Sequence, residues 1–215
     1  MSDQRVELGN FSTEIIDLGK GPALVMLHSL GLDRQVWSGT LPWLSSRCRV
    51  VAYDLRGHGA ASPLQPSHDI GTHVADLAVV MDHLGIERAH VVGLSFGGAI
   101  AQQFATTFPA RTESLTLIAT VAAGLPVFAE RAALAESQGF AAVVHSTLER
   151  WFSRRSIEAD MPFVRYARQR LEALDASTWV SCWTSFAHFD ATSHLARHAM
   201  PAHVIVGSAD NSTHR

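Results

Sequence analysis

Residues 91 to 98 read V-V-G-L-S-F-G-G. A run of β-branched residues ends at a serine, Ser95, whose neighbours two positions away on both sides are glycines. A strand that passes into a helix through a very tight turn imposes this pattern. The turn forces its central residue toward positive φ, which costs energy in any residue with a Cβ, and crowding leaves no space for side chains two positions away. Gly93 and Gly97 meet that demand, and Gly98 lets the next helix lie close to the sheet. The stretch therefore commits the chain to a strand–helix unit that lifts the Ser95 hydroxyl above the sheet edge.

The rest of the chain repeats the strand–helix alternation. Thr13 to Leu18 alternates as a strand. A-L-V-M-L at 23–27 and R-V-V-A-Y-D at 49–54 are continuous apolar runs, as expected of strands covered on both faces. Between them a short helix is expected from Arg34 to Leu44, with Pro42 inside it. Val74, Leu77, Met81 and Leu84 form the stripe of an amphipathic helix closed by Gly85. A-H-V-V-G-L is the next strand, Phe96 to Phe108 a helix stopped by Pro109, and residues 114–120 a further strand. Short connections between alternating strands and helices predict an α/β fold, a mostly parallel sheet with helices on both faces. From 121 to 200 no strand-like run occurs, and ten of the chain's seventeen Phe, Trp and Tyr residues lie there. Strand character returns in A-H-V-I-V-G-S-A-D at 202–210. Residues 1–120 thus read as the core, 121–200 as a helical cap inserted between two strands, and 201–215 as the return to the core.

Composition narrows the function. At 215 residues, 47% hydrophobic and 17% charged, the chain has material for a substantial core. A net charge of −3 without long charge runs gives no bulk attraction to nucleic acid or to an anionic membrane. No apolar run approaches the roughly 20 residues that span a bilayer. The polar, acidic start M-S-D-Q-R-V-E-L is not a signal peptide. Cys48 and Cys182 fit no metal spacing and read as reduced, which suits a cytoplasmic protein.

Strand before and helix after make G-L-S-F-G a nucleophile elbow, with Ser95 as candidate nucleophile. At the helix N-terminus the amide of Phe96 and the helix dipole favour an oxyanion. A second amide belongs in the loop after the third strand, H-S-L-G at 28–31, and Leu30 is the expected donor. The acid should follow the serine in the chain, at the end of a later strand; G-S-A-D supplies Asp210. Asp54 precedes the serine, so it and Arg56 read as structural. His194 and His198 are spaced i, i+4, but no glutamate lies between them and no third ligand is evident, so no metal site is expected. The insertion carries eight arginines, at 131, 150, 154, 155, 165, 168, 170 and 197. They suit an anionic substrate or a solvated helix face, the latter for most of them. Trp151 and Trp183 are candidates for the substrate pocket, or for core packing.

Taken together, V-M-L-H-S-L-G-L-D-R-Q-V-W, R-V-V-A-Y-D-L-R-G-H-G-A-A-S, V-V-G-L-S-F-G-G-A-I-A-Q and V-I-V-G-S-A-D resemble the α/β-hydrolase superfamily over nearly the whole chain. S-L-G-x-D-x-x-x-W, Y-D-x-R-G-H-G and E-R-W-F are most similar to the 3-oxoadipate enol-lactonases, which open an enol-lactone ring in aromatic degradation. The family's usual asparagine is His28 in this chain. The resemblance implies a Ser-His-Asp triad, a helical cap, a small ester or lactone as substrate and no cofactor. Cofactor-free haloperoxidase-like esterases and a catalytically silent binding protein are the alternatives. The family's sheet continues past the acid to a loop bearing the catalytic histidine, whereas this sequence runs five residues beyond Asp210 with His214 as its one later histidine. The resemblance therefore leads to the expectation of a C-terminally truncated chain, lacking its last strand, last helix and base.

Overall fold

The computed structural model describes residues 4–63, 69–208 and 210. Seven strands form one sheet: β1 Gln4–Glu7, β2 Ser12–Leu18, β3 Ala23–Leu27, β4 Arg49–Tyr53, β5 Ala89–Leu94, β6 Thr112–Ile118 and β7 Ala202–Ile205. Their order is β1-β2-β4-β3-β5-β6-β7; β1 and β2 pair antiparallel, and all pairings from β4 to β7 are parallel.

The register explains why the central runs are apolar without a break. Val25 sits between Val51 and Val91, and Met26 between Ala52 and Val92. Successive side chains point to opposite faces, so each run feeds two cores. Val25, Leu27, Val51, Tyr53 and Val91 join the larger cluster, with α2 (Ile70–His83) and α3 (Phe96–Thr107). Met26, Val50, Ala52 and Val92 join a smaller cluster with Trp37 and Leu41 on the other face.

The helix expected over 34–44 divides in two. A 3-10 turn covers Arg34–Trp37, capped by the Asp33 carboxylate accepting from the Gln35 amide. One turn of α-helix, α1 Leu41–Leu44, starts afresh with Pro42 in its first turn. Proline has no amide to donate and fits a helix only at its beginning, so it sets a new start rather than interrupting one long helix. β1 was not anticipated; four residues, three of them exposed, leave no alternating pattern to read.

Between β6 and β7 run α4 Pro126–Gln138, α5 Phe140–Trp151, α6 Arg154–Glu158, α7 Pro162–Ala173, α8 Ala176–Ala187 and α9 Thr192–Leu195. Their shared interior is aromatic. Phe128 of α4 lies 5.0 Å from Trp183 and 4.5 Å from Phe186 of α8. Phe186 also meets the Phe96 ring at 5.6 Å, joining the helical layer to the start of α3. Every residue of β7 is exposed, and Val204, Ile205 and Val206 are the apolar part of that surface.

Candidate active site

The turn at Ser95 has the expected geometry and the expected cause. Ser95 stands at φ 53 and ψ −113 as the residue before α3. A Cβ on Gly93 would lie 2.3 Å from the Gly97 carbonyl oxygen, and one on Gly97 would lie 2.5 Å from that of Leu27. Side chains are therefore excluded at both positions by backbone. A Cβ on Gly98 would meet the Thr120 side chain at 2.6 Å. Thr120 also donates its hydroxyl to the Ser95 carbonyl at 2.7 Å, and the Ser95 amide donates to Ile118 at 2.8 Å. These two bonds fix the strained turn from the β6 side. No local pattern reveals Thr120, because it reaches Ser95 across the sheet.

The loop after β3 is built around a buried imidazole. His28 accepts the Leu55 amide at Nε2, 2.9 Å away, so its proton is on Nδ1, which donates to the Ser29 carbonyl at 2.8 Å. Burial first of all pushes its pKa down, which keeps the ring neutral. His28 thus shapes the turn and is committed at both nitrogens. Gly31 follows at φ 81, facing Leu171, Trp151 and Trp179 of the helical layer. Leu30 is buried in this loop, and Ser29 and Leu32 on either side of it border the cavity beside Ser95.

That cavity has a volume of about 840 Å³. Its floor is the carboxyl end of the sheet: Ser29, Leu94, Ser95, Ala119, Gly207 and Asp210. Its roof is the helical layer, from Glu149 to Arg154 with Phe163, Tyr166 and Ala167. Parallel α/β sheets place ligand sites at this end of their strands. A separate cavity of about 680 Å³ between the start of α2 and α8 borders neither Ser95 nor Asp210.

Asp33 joins floor to roof, a role the sequence did not disclose. Tyr166 on α7 donates its hydroxyl to Asp33 Oδ1 at 2.7 Å, and Arg170 Nη1 donates to Oδ2 at 3.0 Å. Burial pushes the Asp33 carboxyl up, but the bonds from Tyr166, the Gln35 amide and Arg170 outweigh it and hold the group below the usual carboxylate range. Burial first, and then the same carboxylate, drives the Tyr166 phenol well above its ordinary value.

The structure brings Ser95, Asp210 and Trp151 to one cavity. It does not bring Trp183 there. Trp183 is buried among Phe128, Trp179 and Phe186, in the aromatic interior between α4 and α8. Asp54 accepts from the Arg34 and Ala60 amides and pairs with Arg34, and Arg56 clamps Asp76 at 2.6 Å and 2.9 Å. Both serve the core, as their place before the serine suggested. His198 lies beyond the end of α9, so it shares no helix face with His194, and its Nε2 is 2.9 Å from the Thr106 hydroxyl. His214 lies outside the described residues.

A strained serine at a strand–helix turn, opening on a roofed cavity at the carboxyl end of a parallel sheet, defines a hydrolase of the α/β type. The profile of the family described as alpha/beta hydrolase fold matches residues 22–195, and the chain belongs to that family. By family it is a carboxylic ester or lactone hydrolase. Two relatives come from Acinetobacter baylyi. 3-Oxoadipate enol-lactonase 2 is 31% identical over 195 residues, 89% of this chain and 73% of the relative. 3-Oxoadipate enol-lactonase 1 is 32% identical over 209 residues, 94% and 76% of the two chains. The solved enol-lactonase of Burkholderia xenovorans LB400 superimposes with a TM-score of 0.88 at 28% identity, covering 95% of this chain and 81% of that one.

Proposed function

We propose that the protein is a serine hydrolase that opens a small lactone of the 3-oxoadipate enol-lactone type, with Ser95 as nucleophile. The observation that carries this reading is the Ser95 turn itself, held at φ 53 at the start of α3 on the floor of the roofed cavity. A conformation that costs on the order of 1–3 kcal/mol persists where the surroundings over-determine it, and such sites cluster at active centres. The enol-lactonase relatives supply the substrate class.

In this reading Ser95 Oγ adds to the lactone carbonyl while its proton passes to a base. The oxyanion accepts hydrogen bonds from the amides of Phe96 and Leu30. The ring C–O bond then breaks, and the enol oxygen leaves with the proton. Water adds to the acyl-serine, releasing the acid and restoring Ser95. All electrons stay paired, so the cycle calls for no cofactor and no metal. In this reading Asp210, which follows β7 and borders the cavity, orients a histidine base. Residues 121–200 serve as the cap, with Trp151 on the substrate's side of it. Neither Cys48 nor Cys182 is in a disulfide, consistent with work in the reducing cytoplasm.

One observation favours a second reading, a binding protein of the same fold. No histidine lies among the described residues that wall the cavity, and a serine without a base is a poor nucleophile. Hydrolysis of an activated short-chain ester and of the enol-lactone, by the 215-residue chain beside Ser95→Ala, separates the two. Turnover that disappears in the variant establishes the hydrolase and shows that a base reaches Ser95, from His214, a rearranged histidine or a partner chain. Equal rates in both proteins refute turnover by this chain and support the binding protein.

A further inference from the structure

The loop after β3 is withdrawn from water along its whole length. Every residue from His28 to Arg34 is buried. Connecting segments normally run over the surface, because a buried one must find partners for its backbone. Several groups of this loop have found them. His28 Nδ1 and the Leu32 amide both donate to the Ser29 carbonyl, at 2.8 Å and 3.1 Å. The Arg34 amide donates to Asp54 Oδ1 at 2.9 Å. The Asp33 amide donates to the Tyr166 hydroxyl at 3.3 Å, and that hydroxyl donates to Asp33 Oδ1 at 2.7 Å. The Leu30 amide, by contrast, meets no acceptor among the described residues.

The two ends of the loop are held by different parts of the molecule. His28 is held by the core: its Nε2 accepts the Leu55 amide, and its carbonyl packs so tightly on Gly97 of α3 that a Cβ there would lie 2.6 Å away. Asp33 is held by the roof, through Tyr166 and Arg170 of α7. Between these ends Gly31, at φ 81, lies against the helical layer. A Cβ on it would come within 2.7 Å of Leu171 Cδ2 on α7, 3.4 Å of Trp151 on α5 and 3.5 Å of Trp179 on α8. Leu30 therefore sits between a support below and a support above. An oxyanion donor acts at about 2.7–3.1 Å from the developing charge, and it acts best when fixed in advance. An amide on a loop is fixed no better than the supports of that loop.

We propose that Tyr166 is a positioning residue for the oxyanion: its hydroxyl holds Asp33 and so aims the Leu30 amide at the charge that forms when Ser95 adds to the carbonyl. The inference rests on the Ser95 cavity being a hydrolytic site, and it ties the reactive geometry of the floor to one hydroxyl of the roof. Tyr166 also borders the cavity. Its ring bounds the substrate space, while its hydroxyl sets the loop. Substitution separates the two parts, because phenylalanine keeps the wall and loses the hold.

The test is Tyr166→Phe in the full chain, with two readouts. The first is turnover of para-nitrophenyl acetate. A misaimed oxyanion donor weakens the transition state and not the bound ester, so kcat is expected to fall about ten- to a hundredfold while KM stays within about twofold. Loss of cavity wall alone would raise KM and leave kcat. The second is the amide spectrum of the chain labelled at its leucine nitrogens. The Leu30 signal, identified by its loss in Leu30→Met, is expected to move or split while that of Leu27 stays in place. A thermal melt verifies the fold. Gly31→Ala strains the same loop from the Leu171 side and leaves Asp33 untouched; it gives both readouts if Tyr166→Phe does not fold. An unchanged kcat or an unmoved Leu30 signal overturns the inference. Ser95→Ala tests the underlying reading separately. If the native chain shows no Ser95-dependent turnover, the hydrolase falls and the Leu30 signal alone judges the hold: a moved signal keeps Tyr166 as the residue that sets the loop, and an unmoved one removes it.

Discussion

Gly97 shows how much of the site is set by single atoms. A Cβ there would press on the carbonyl oxygens of Leu27 at 2.5 Å and His28 at 2.6 Å. Leu27 ends β3, a central strand with partners on each side, and His28 follows it directly, so the backbone has little room to yield. Gly97→Ala should therefore destabilise the chain by at least about 1–3 kcal/mol, read as a lower urea midpoint, and should abolish any Ser95-dependent hydrolysis. Gly39→Ala is the matched control, since a Cβ there meets nothing within 4 Å. It should shift stability by less than about 0.5 kcal/mol. A normal midpoint for Gly97→Ala would show that α3 stands farther from β3 than described. The glycine spacing was legible in the sequence because the crowding acts over four residues of chain. Thr120, which closes on Gly98 and bonds the Ser95 carbonyl, was not, because its effect crosses from β6.

Among elements, α7 depends on one carboxylate for its attachment to the loop after β3. Asp33 is buried, receives Tyr166 and Arg170 from α7, and caps its own 3-10 turn. Tyr166→Phe removes one donor and should cost about 1–3 kcal/mol. Hydrogen exchange offers the decisive readout: faster exchange over Pro162–Ala173, with α3 unchanged. Exchange that rises evenly through the chain would refute a local attachment. The carboxyl is held below its ordinary value of 3.8, so the attachment adds stability above that pH and loses it as pH falls through the lower, folded value. Native α7 should therefore open in acid below about pH 4, and Asp33→Asn should exchange quickly at neutral pH already. The elements themselves were largely readable. β3, β4, β5, α2 and α3 announce themselves by apolar runs or a 3-4-3 stripe. The 34–44 segment misled because its apolar spacing suits a helix while Pro42 starts a new one. Trp183 stayed open between pocket and core because an aromatic in a helical insertion has two apolar destinations, and it packs between α4 and α8.

At the scale of the whole molecule, the sheet is treated differently at its two sides. In its middle, alternate residues of β3, β4 and β5 feed two cores, so both faces are covered. At the β7 side, Val204 is 67% exposed, and Ile205 and Val206 are exposed beside it. Among the described residues β7 pairs with β6 alone. A strand with one free edge and apolar side chains in water is a template for pairing with another chain. The net charge of −3 offers little repulsion against such contact. The 215-residue chain should therefore associate as its concentration rises, seen as growing scattered-light mass from micromolar concentrations upward. Val204→Lys with Val206→Lys puts two charges on that strand and should keep the mass at that of one chain, while the melting temperature stays within a few degrees because these side chains add nothing to either core. Association that is equal in the double variant would locate the contact elsewhere, with exposed Trp43, or Met161 and Phe163 at the start of α7, as the next surfaces to change.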